Sequence, residues 1–305
     1  MVEHAGVIVT DGRVLLGSEV EAEAHLTVVP REVRVEEQTL RSDERINVLR
    51  SLTREAHARR HPVQVLPPQR ELFLRSYQAL SERHRHVVSV HYLEAFDGAA
   101  REARICRQLM YPVQQIDVYE AKALEGGLQF LLKTAATLAQ EGATTTQLIA
   151  LLRYLETHML TLLITPGMVR PDRWAVVTGA QRLRSVLPST ETLWHFDPKQ
   201  QKLVVLAQSQ DIHLQLGQLV QARWGQHEYA PLVRYRGWTT ARLTELCASF
   251  AAAGLTEPAR LEPVTATFLP CLPPTFVEVV LMPRAAELER LRGLVQDPIW
   301  WKGAA

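Results

Sequence analysis

Polar residues that directly follow predicted strands are the side chains of this sequence best placed to do chemistry. Asp11 and Gly12 end an apolar run at residues 5–10, and His91 ends another at residues 87–91. Open α/β sheets bind ligands beyond the carboxyl ends of their strands. We therefore expect Asp11, Gly12 and His91 to border a ligand-binding edge. An aspartate at such a place also serves as an ordinary turn residue.

Two further pairs of residues follow predicted strands in the same way. Asp97 and Gly98 precede one predicted helix, and Lys122 and Gly126 precede another. Asp97 has an equally simple interpretation as a helix N-cap, because a short acceptor side chain bonds the free N–H groups of a first turn. The sequence alone does not choose between capping and ligand binding.

The sequence contains none of the short motifs that mark common catalytic or cofactor sites. GxGxxG, GxxxxGK[ST], HExxH and GxSxG are all missing, and the 11 histidines are scattered. Cys271 lies in the proline-rich segment LPCLPPTF, with no histidine or carboxylate close in sequence. We expect it to be a buried thiol rather than a nucleophile. These observations predict a protein without enzymatic activity, metal or cofactor.

Composition restricts the classes of protein to which the chain can belong. Its 305 residues suffice for two domains, and 47% hydrophobic residues against 22% charged residues are typical of a globular protein. A formal net charge of +1 predicts neither a nucleic-acid surface nor an anionic membrane surface. Distant cysteines, no signal-peptide pattern and no apolar run of about 18 residues predict a cytoplasmic protein without a membrane span.

The N-terminal half alternates short apolar runs with amphipathic stretches, which is typical of an α/β domain with a parallel sheet flanked by helices. Predicted strands lie at residues 5–10, 26–29, 87–91 and 113–117. Predicted helices lie at residues 42–60, 72–80, 98–110, 128–139 and 144–158. Gly142 is expected to end one helix, and the threonines at 144–146 are expected to cap the next.

The C-terminal half is predicted to be a mixed α/β domain that includes antiparallel strands. TETLWHFD and QKLVVLAQ flank the turn at residues 197–199 and predict a hairpin. Further strands are predicted at residues 161–165, 230–235, 261–268 and 276–281, and helices at 212–224 and 239–253. We expect an N-terminal domain at 1–160, a C-terminal domain at 161–283 and a charged helical tail at 284–305.

In their order along the chain, these segments resemble the DegV family of fatty-acid-binding proteins. VIVTDG is similar to the first strand and aspartate turn of that family, and LTVVPREVRVEEQTLRSD keeps the matching Pro30 and Asp43. VVSVHYLEAFDGAAREAR keeps Gly98 and Ala103 in the place of a Ser-Gly-Thr strand and helix. The loop that reaches Arg170 lies where the family has Gly-Arg. The resemblance extends to about residue 282.

The resemblance implies a two-domain fold that buries one long acyl chain between its domains and presents it to a separate fatty acid kinase. It implies that a Thr-Ser motif, the serine of the Ser-Gly-Thr motif and a C-terminal histidine bind the acyl carboxylate. In this sequence those positions fall on Val65 or Leu66, on Asp97, and on or near Cys271. A further serine of the family is Lys122 here.

Asp97 is the replacement that most affects the chemistry of the head group. At about 4 Å and an effective dielectric constant near 20, an ionised aspartate would repel a carboxylate by roughly 4 kcal/mol. Protonation of Asp97, its pairing with Lys122 or Arg170, or a ligand with a neutral or cationic head would each remove this repulsion. These alternatives stay open at the level of sequence.

Three hypotheses follow from the sequence. The leading one is a non-enzymatic binder of a long-chain fatty acid or other apolar lipid, whose usual carboxylate-binding residues are replaced. The second is a degenerate DegV-like scaffold that binds a protein partner or a different apolar ligand. The third is a small hydrolase or transferase that uses Asp97, Lys122 or Cys271. The candidate ligand-binding residues are Asp11, Gly12, Val65, Leu66, His91, Asp97, Gly98, Lys122, Gly126, Arg170 and Cys271.

Overall fold

The structure is a computed structural model. It describes residues 6–11, 25–41, 55, 63–66, 68–92, 94, 98–167, 175–176, 180–181, 190–197, 200, 202–224, 229–255, 257–264 and 275–283. Predicted features outside these ranges include Gly12, Asp43, Asp97, Arg170, Cys271, residues 265–268 of the strand at 261–268, the tail at 284–305 and all but one residue of the helix at 42–60. The described residues divide into two compact units, one ending at Thr157 and the other beginning at His158.

The first unit contains two sheets and the helices that cover one of them. In chain order its elements are β1 (Val7–Asp11), β2 (Leu26–Val29), β3 (Glu32–Val35), β4 (Gln38–Arg41), β5 (Val63–Val65), α1 (Arg70–Ser81), β6 (His86–Tyr92), α2 (Ala99–Met110), β7 (Gln115–Ala121), α3 (Glu125–Gln140) and α4 (Thr145–His158). Four strands form a parallel sheet in the order β2-β1-β6-β7. The other three form an antiparallel sheet in the order β4-β3-β5.

Helices cover both faces of the parallel sheet, as parallel sheets require. On one face, Val9 and Val87 pack with Phe73 of α1 and Ala103 of α2. On the other face, α3 packs against β1. Since both faces are buried, the strands have nearly continuous apolar sequences in place of an alternating pattern. This is why β1 and β6 can be recognised from sequence as short apolar runs.

The boundary between α3 and α4 follows its local sequence. Gly142 has a φ of 95°, a conformation that favours glycine, and the N–H of Ala143 donates to the carbonyl of Leu138. The N–H of Gln147 donates to the hydroxyl of Thr144 at 3.4 Å, and the Gln147 side chain accepts from the N–H of Thr144 at 2.8 Å. The predicted helix end and helix cap are both confirmed.

The second unit is built on one mixed sheet. In chain order its elements are β8 (Leu160–Pro166), β9 (Ala175–Val176), β10 (Glu191–Asp197), β11 (Lys202–Ser209), α5 (Ile212–Trp224), β12 (Tyr229–Arg236), α6 (Thr240–Ala252), β13 (Arg260–Pro263) and β14 (Phe276–Pro283). The seven strands lie in the order β13-β12-β14-β8-β10-β11-β9. The strands from β12 to β11 in this order pair antiparallel, and the two outermost pairs are parallel.

Helices α5 and α6 pack together on one face of the mixed sheet. Leu216, Leu246 and Val279 belong to the core that joins them to it. The helices approach closely at Gly217, where a Cβ atom would lie only 3.0 Å from the carbonyl oxygen of Ser249. Glycine therefore permits this helix contact.

The predicted fold class is confirmed: the chain is an α/β protein with a parallel sheet flanked by helices and a second, mixed α/β unit. The predicted hairpin is the antiparallel pair of β10 and β11. The sequence does not predict the sheet of β3, β4 and β5, because these strands have only three or four residues, several of them polar. No helix among the described residues is long and apolar enough to cross a membrane.

Candidate functional site

The carboxyl ends of four strands meet at one edge of the parallel sheet, because all four strands run in the same direction. The last residues of β2, β1, β6 and β7 at this edge are Val29, Asp11, Tyr92 and Ala121. Ligands of open α/β sheets bind beyond this edge. The side chains around these strand ends therefore make up the candidate site.

Asp11 is buried at this edge and has a partner on each carboxylate oxygen. The Nε–H of Arg31 donates to Oδ1 at 2.6 Å, and Nδ1 of His91 lies 2.7 Å from Oδ2. The three residues are at most 1% exposed. A carboxylate removed from water needs such partners, since an unpaired buried charge costs several kcal/mol.

The hydrogen bonds continue from His91 to helix α1. Its Nε2 lies 2.7 Å from Oγ of Ser89, which lies 2.7 Å from the hydroxyl of Tyr77. Phe73, one turn before Tyr77, sets its ring edge-on to the His91 ring with the centroids 5.3 Å apart. We call the connected residues the buried relay: Arg31, Asp11, His91, Ser89 and Tyr77.

One arrangement of hydrogens satisfies every contact of the buried relay. Tyr77 donates to Ser89, Ser89 donates to Nε2 of His91, and Nδ1–H of His91 donates to Asp11. The His91 ring is then neutral, and Asp11 is an anion paired with Arg31. A doubly protonated ring would turn the Ser89 hydrogen toward Tyr77, whose own hydrogen would lose its acceptor. Burial raises the pKa of Tyr77, which keeps its hydroxyl a donor.

Ser89, His91 and Asp11 are connected in the same order as the residues of a serine hydrolase triad. Ser89 has no exposed surface, and it lies in the middle of β6. Its oxygen accepts from Tyr77, and a substrate carbonyl cannot reach it. In this structure Ser89 is therefore not accessible as a nucleophile, and the relay connects β1 and β6 to helix α1.

A second polar cluster lies beside β6 and β7. The guanidinium of Arg104 on α2 pairs with Glu94 and with Glu120. The backbone N–H of Glu94 donates to the second oxygen of Glu120 at 2.7 Å. The single positive charge of Arg104 thus faces two carboxylates, whereas Arg31 pairs with the one carboxylate of Asp11.

Lys122 is exposed at the end of β7 and belongs to a third group. Its backbone N–H donates to Oε1 of Glu156 at 2.5 Å, and Glu156 also bonds the hydroxyl of Tyr119. Burial raises the pKa of Glu156, whereas the Lys122 N–H and the Tyr119 hydroxyl oppose this shift. The Lys122 side chain lies close enough to Glu156 to interact with it electrostatically. The raised pKa means that the Glu156 carboxyl group ionises less readily than usual.

The structure brings three of the predicted site residues together. Asp11 and His91 are in direct contact, and Nη1 of Arg31 donates to the carbonyl of Leu66 at 3.1 Å. Val65, just before Leu66, ends β5. Gly98 and Gly126 lie elsewhere along the edge, at the start of α2 and in the first turn of α3. Whether any of these residues contacts a ligand stays a prediction.

Sequence reasoning missed three members of the buried relay: Arg31, Ser89 and Tyr77. A signal for Ser89 does exist, because VVSVH places Ser89 and His91 on the strand face where Val87 is apolar. Two polar residues in succession on a buried face require partners from another element. The identity of those partners, Tyr77 and Asp11, depends on tertiary structure. Within the described part of the chain, no group of three or more His, Cys, Asp or Glu side chains could hold a metal ion.

A helix-covered parallel sheet followed by a unit with a mixed seven-stranded sheet defines a two-unit α/β protein with its candidate site at a strand edge. The chain belongs to the DegV family. The family model described as "uncharacterised protein, DegV family" matches residues 6–167, just over half of the chain. No curated protein matches this chain in sequence.

Solved structures of DegV family proteins share this fold. A fatty-acid-binding DegV family protein from Thermus thermophilus is 18% identical, with a TM-score of 0.72 over 91% of this chain and 99% of that one. DegV, a fatty acid binding protein from Bacillus subtilis, is 15% identical, with a TM-score of 0.67 over 92% and 99%. A DegV family protein from Eubacterium eligens, loaded with heptadecanoic acid, is 11% identical, with a TM-score of 0.67 over 92% and 100%.

The buried relay predicts that Ser89→Ala lowers the free energy of unfolding by about 1–3 kcal/mol, because two buried polar groups lose their partner. Tyr77→Phe should cost less, since Ser89 keeps its bond to His91. The double variant should cost less than the sum of the two. Urea unfolding measures all three. Ser81→Ala is the control, because that hydroxyl is exposed and bonds only locally to Gln78. Equal effects at Ser81 and Ser89 would contradict the relay.

Proposed function

We propose that this chain is a non-enzymatic lipid-binding protein that holds one long-chain fatty acid or a lipid of similar shape. The observation that carries the proposal is the correspondence of the fold over 91–92% of the chain with DegV family proteins that bind fatty acids, one of them loaded with heptadecanoic acid. The pairing of Asp11 with Arg31 in the buried relay adds a constraint on how the head group is bound.

The head group is proposed to lie where α2 and α3 begin, beyond the ends of β6 and β7. The positive end of a helix dipole favours an anionic or strongly polar group. Among the described residues, a Cβ atom at Gly98 would meet only the end of the Arg101 side chain, at 3.6 Å, so these residues leave the backbone there approachable. Lys122 adds an exposed ammonium group at the same edge. Asp11 and Arg31 are not proposed to contact the head group, because they already satisfy each other.

The second unit contains an apolar pocket of its own, and we propose this pocket, taken by itself, as a candidate site for hydrocarbon. It has a volume of about 320 Å³, within the usual range of small-molecule sites. Four apolar and two amide side chains line it: Leu193, Leu206, Ala207, Leu219, Gln215 and Gln218. Methylene groups gain about 0.8 kcal/mol each when they leave water for such a surface.

The proposal of binding without catalysis is supported by the burial of Ser89, His91 and Asp11, the residues most similar to a catalytic triad. Ser89 is buried, and its hydroxyl is used twice within the buried relay. Lys122 belongs to a local group in which its backbone N–H and the Tyr119 hydroxyl both bond the carboxyl group of Glu156. The partner proposed for a carrier of this kind is a fatty acid kinase that acts on the carboxyl group of the bound ligand, as the family resemblance implies.

The cytoplasm is the proposed compartment. Cys106 and Cys247 are free thiols in the structure, and unpaired cysteines are usual where glutathione keeps thiols reduced. Cys106 is buried, and burial raises the pKa of its thiol to about 11, so it stays protonated and unreactive.

Delipidated protein offered palmitic acid should take up one molecule per chain, as measured by native mass spectrometry. Hexadecanol and hexadecylamine, which have the same chain length, report which head group the site prefers. An edge that relies on helix N–H groups and Lys122 should bind palmitic acid more tightly than hexadecylamine. Protein that stays empty with all three ligands would refute the proposal.

Ala207→Trp should weaken palmitic acid binding about tenfold, because an indole that excludes two methylene groups removes roughly 1.6 kcal/mol of burial. Ala207 lines the pocket and is only partly buried, so the pocket can accept the larger side chain. Leu214→Trp is the matched control, since Leu214 is 55% exposed on α5. Unchanged affinity in Ala207→Trp would mean that the hydrocarbon chain lies elsewhere.

A further inference from the structure

Arg31 connects the two sheets of the first unit. Its Nε–H donates to Asp11, the last residue of β1 in the parallel sheet. Its Nη1 donates to the carbonyl of Leu66, the residue that follows β5 of the antiparallel sheet. The Arg31 side chain is fully buried. Because the guanidinium is rigid and planar, one group sets the separation of these two contacts.

The antiparallel sheet carries the segment around Leu66 as one body. Val65 pairs with Val33 of β3, and the N–H of Leu66 donates to the carbonyl of Glu32 at 2.9 Å. The Gln69 side chain, just before α1, donates to the carboxylate of Glu32 at 2.7 Å. Fixing Arg31 to Asp11 therefore places this whole body relative to the carboxyl edge of the parallel sheet.

The second unit contains another buried arginine, Arg234, whose ion pair lies within one sheet and does not connect two sheets. In the second unit, Arg234 pairs with Glu278 at 2.9 Å, and their side chains are 7% and 2% exposed. These two residues are direct partners in the ladder of β12 and β14, so backbone hydrogen bonds already hold them together. Arg31 lies between two strands of different sheets. Its contacts cross from one sheet to the other.

Stability alone does not account for this arrangement. A buried ion pair adds little net stability over apolar side chains of the same volume, because both charges lose their hydration. The pair does fix geometry, since both partners tolerate few alternative positions. Through Arg31, Leu66 is moreover connected to Asp11 at the carboxyl end of β1, the edge at which open α/β sheets bind ligands.

We infer that Arg31 is a positioning residue of the lipid site. It holds Leu66 and the antiparallel sheet against the end of β1, so that they form one wall of the site at the carboxyl edge. Through Asp11 it also holds His91 at the end of β6. This inference rests on the proposed lipid-binding function. Arg31 itself does not touch the ligand.

The decisive variant is Asp11→Asn combined with Arg31→Met. It removes both charges of this ion pair together, and the asparagine oxygen can still accept from Nδ1–H of His91. The protein should fold, bind palmitic acid about tenfold more weakly and exchange the amide hydrogen of Leu66 faster. Native mass spectrometry gives the affinity, and hydrogen exchange gives the mobility of Leu66.

The matched control makes the same chemical changes in the other buried pair, as Glu278→Gln with Arg234→Met. Its affinity for palmitic acid should equal that of the unaltered protein. Wild-type affinity in the Asp11–Arg31 variant would overturn the inference. Equal losses in both double variants would also overturn it, because the effect would then be general loosening.

A measurement on the unaltered protein covers the case in which the Asp11–Arg31 variant does not fold. Binding of palmitic acid should slow the amide exchange of Leu66 several-fold, since a wall of the site becomes covered and ordered. Bound palmitic acid without any change at Leu66 would overturn the inference. Unaltered protein that binds neither palmitic acid, hexadecanol nor hexadecylamine would refute the proposed function itself, and native mass spectrometry detects that outcome without any variant.

Discussion

Asp11 is a carboxylate buried at the end of β1, and a buried carboxylate needs hydrogen-bond donors around it. Arg31 neutralises it, and His91 occupies its second oxygen. His91 then needs a partner on its other nitrogen, which is Ser89, and Ser89 receives the hydroxyl of Tyr77. Each polar group thus requires the next, until the line ends on helix α1. The hydrogen bonds of the buried relay thus connect the ends of β1 and β6, the antiparallel sheet and α1.

The same constraint shapes what the edge of the sheet can bind. Asp11 pairs with Arg31, and Arg104 pairs with two carboxylates, those of Glu94 and Glu120. Under the proposed function, the starts of α2 and α3 and the Lys122 side chain are the polar contacts of a ligand at this edge. The chain is a DegV family protein, and Asp11, Arg31 and Arg104 at its described edge are each paired with another side chain.

Much of the fold can be predicted from sequence, because β1, β6 and the helices carry strong local patterns. VIVTD and HVVSVHY are apolar runs of a sheet buried on both faces, and the helices α1 to α4 repeat apolar residues at helical spacing. The strands β3 to β5 escape prediction because they are short and polar, and because their turn uses Glu36 at a φ of 54° in place of glycine. The buried relay escapes it for another reason: Asp11 and His91 are 80 residues apart. Sequence identifies Asp11 and His91 as residues at strand ends, but it cannot show that they contact each other.

The lipid content of protein purified from cells without added ligand tests the central claim most directly. Organic extraction followed by mass spectrometry gives the identity and the amount of any bound lipid per protein chain. A lipid-binding protein of this fold should release close to one long-chain molecule per chain. Extracts that contain no lipid in stoichiometric amount, from protein that is folded and pure, would contradict the account.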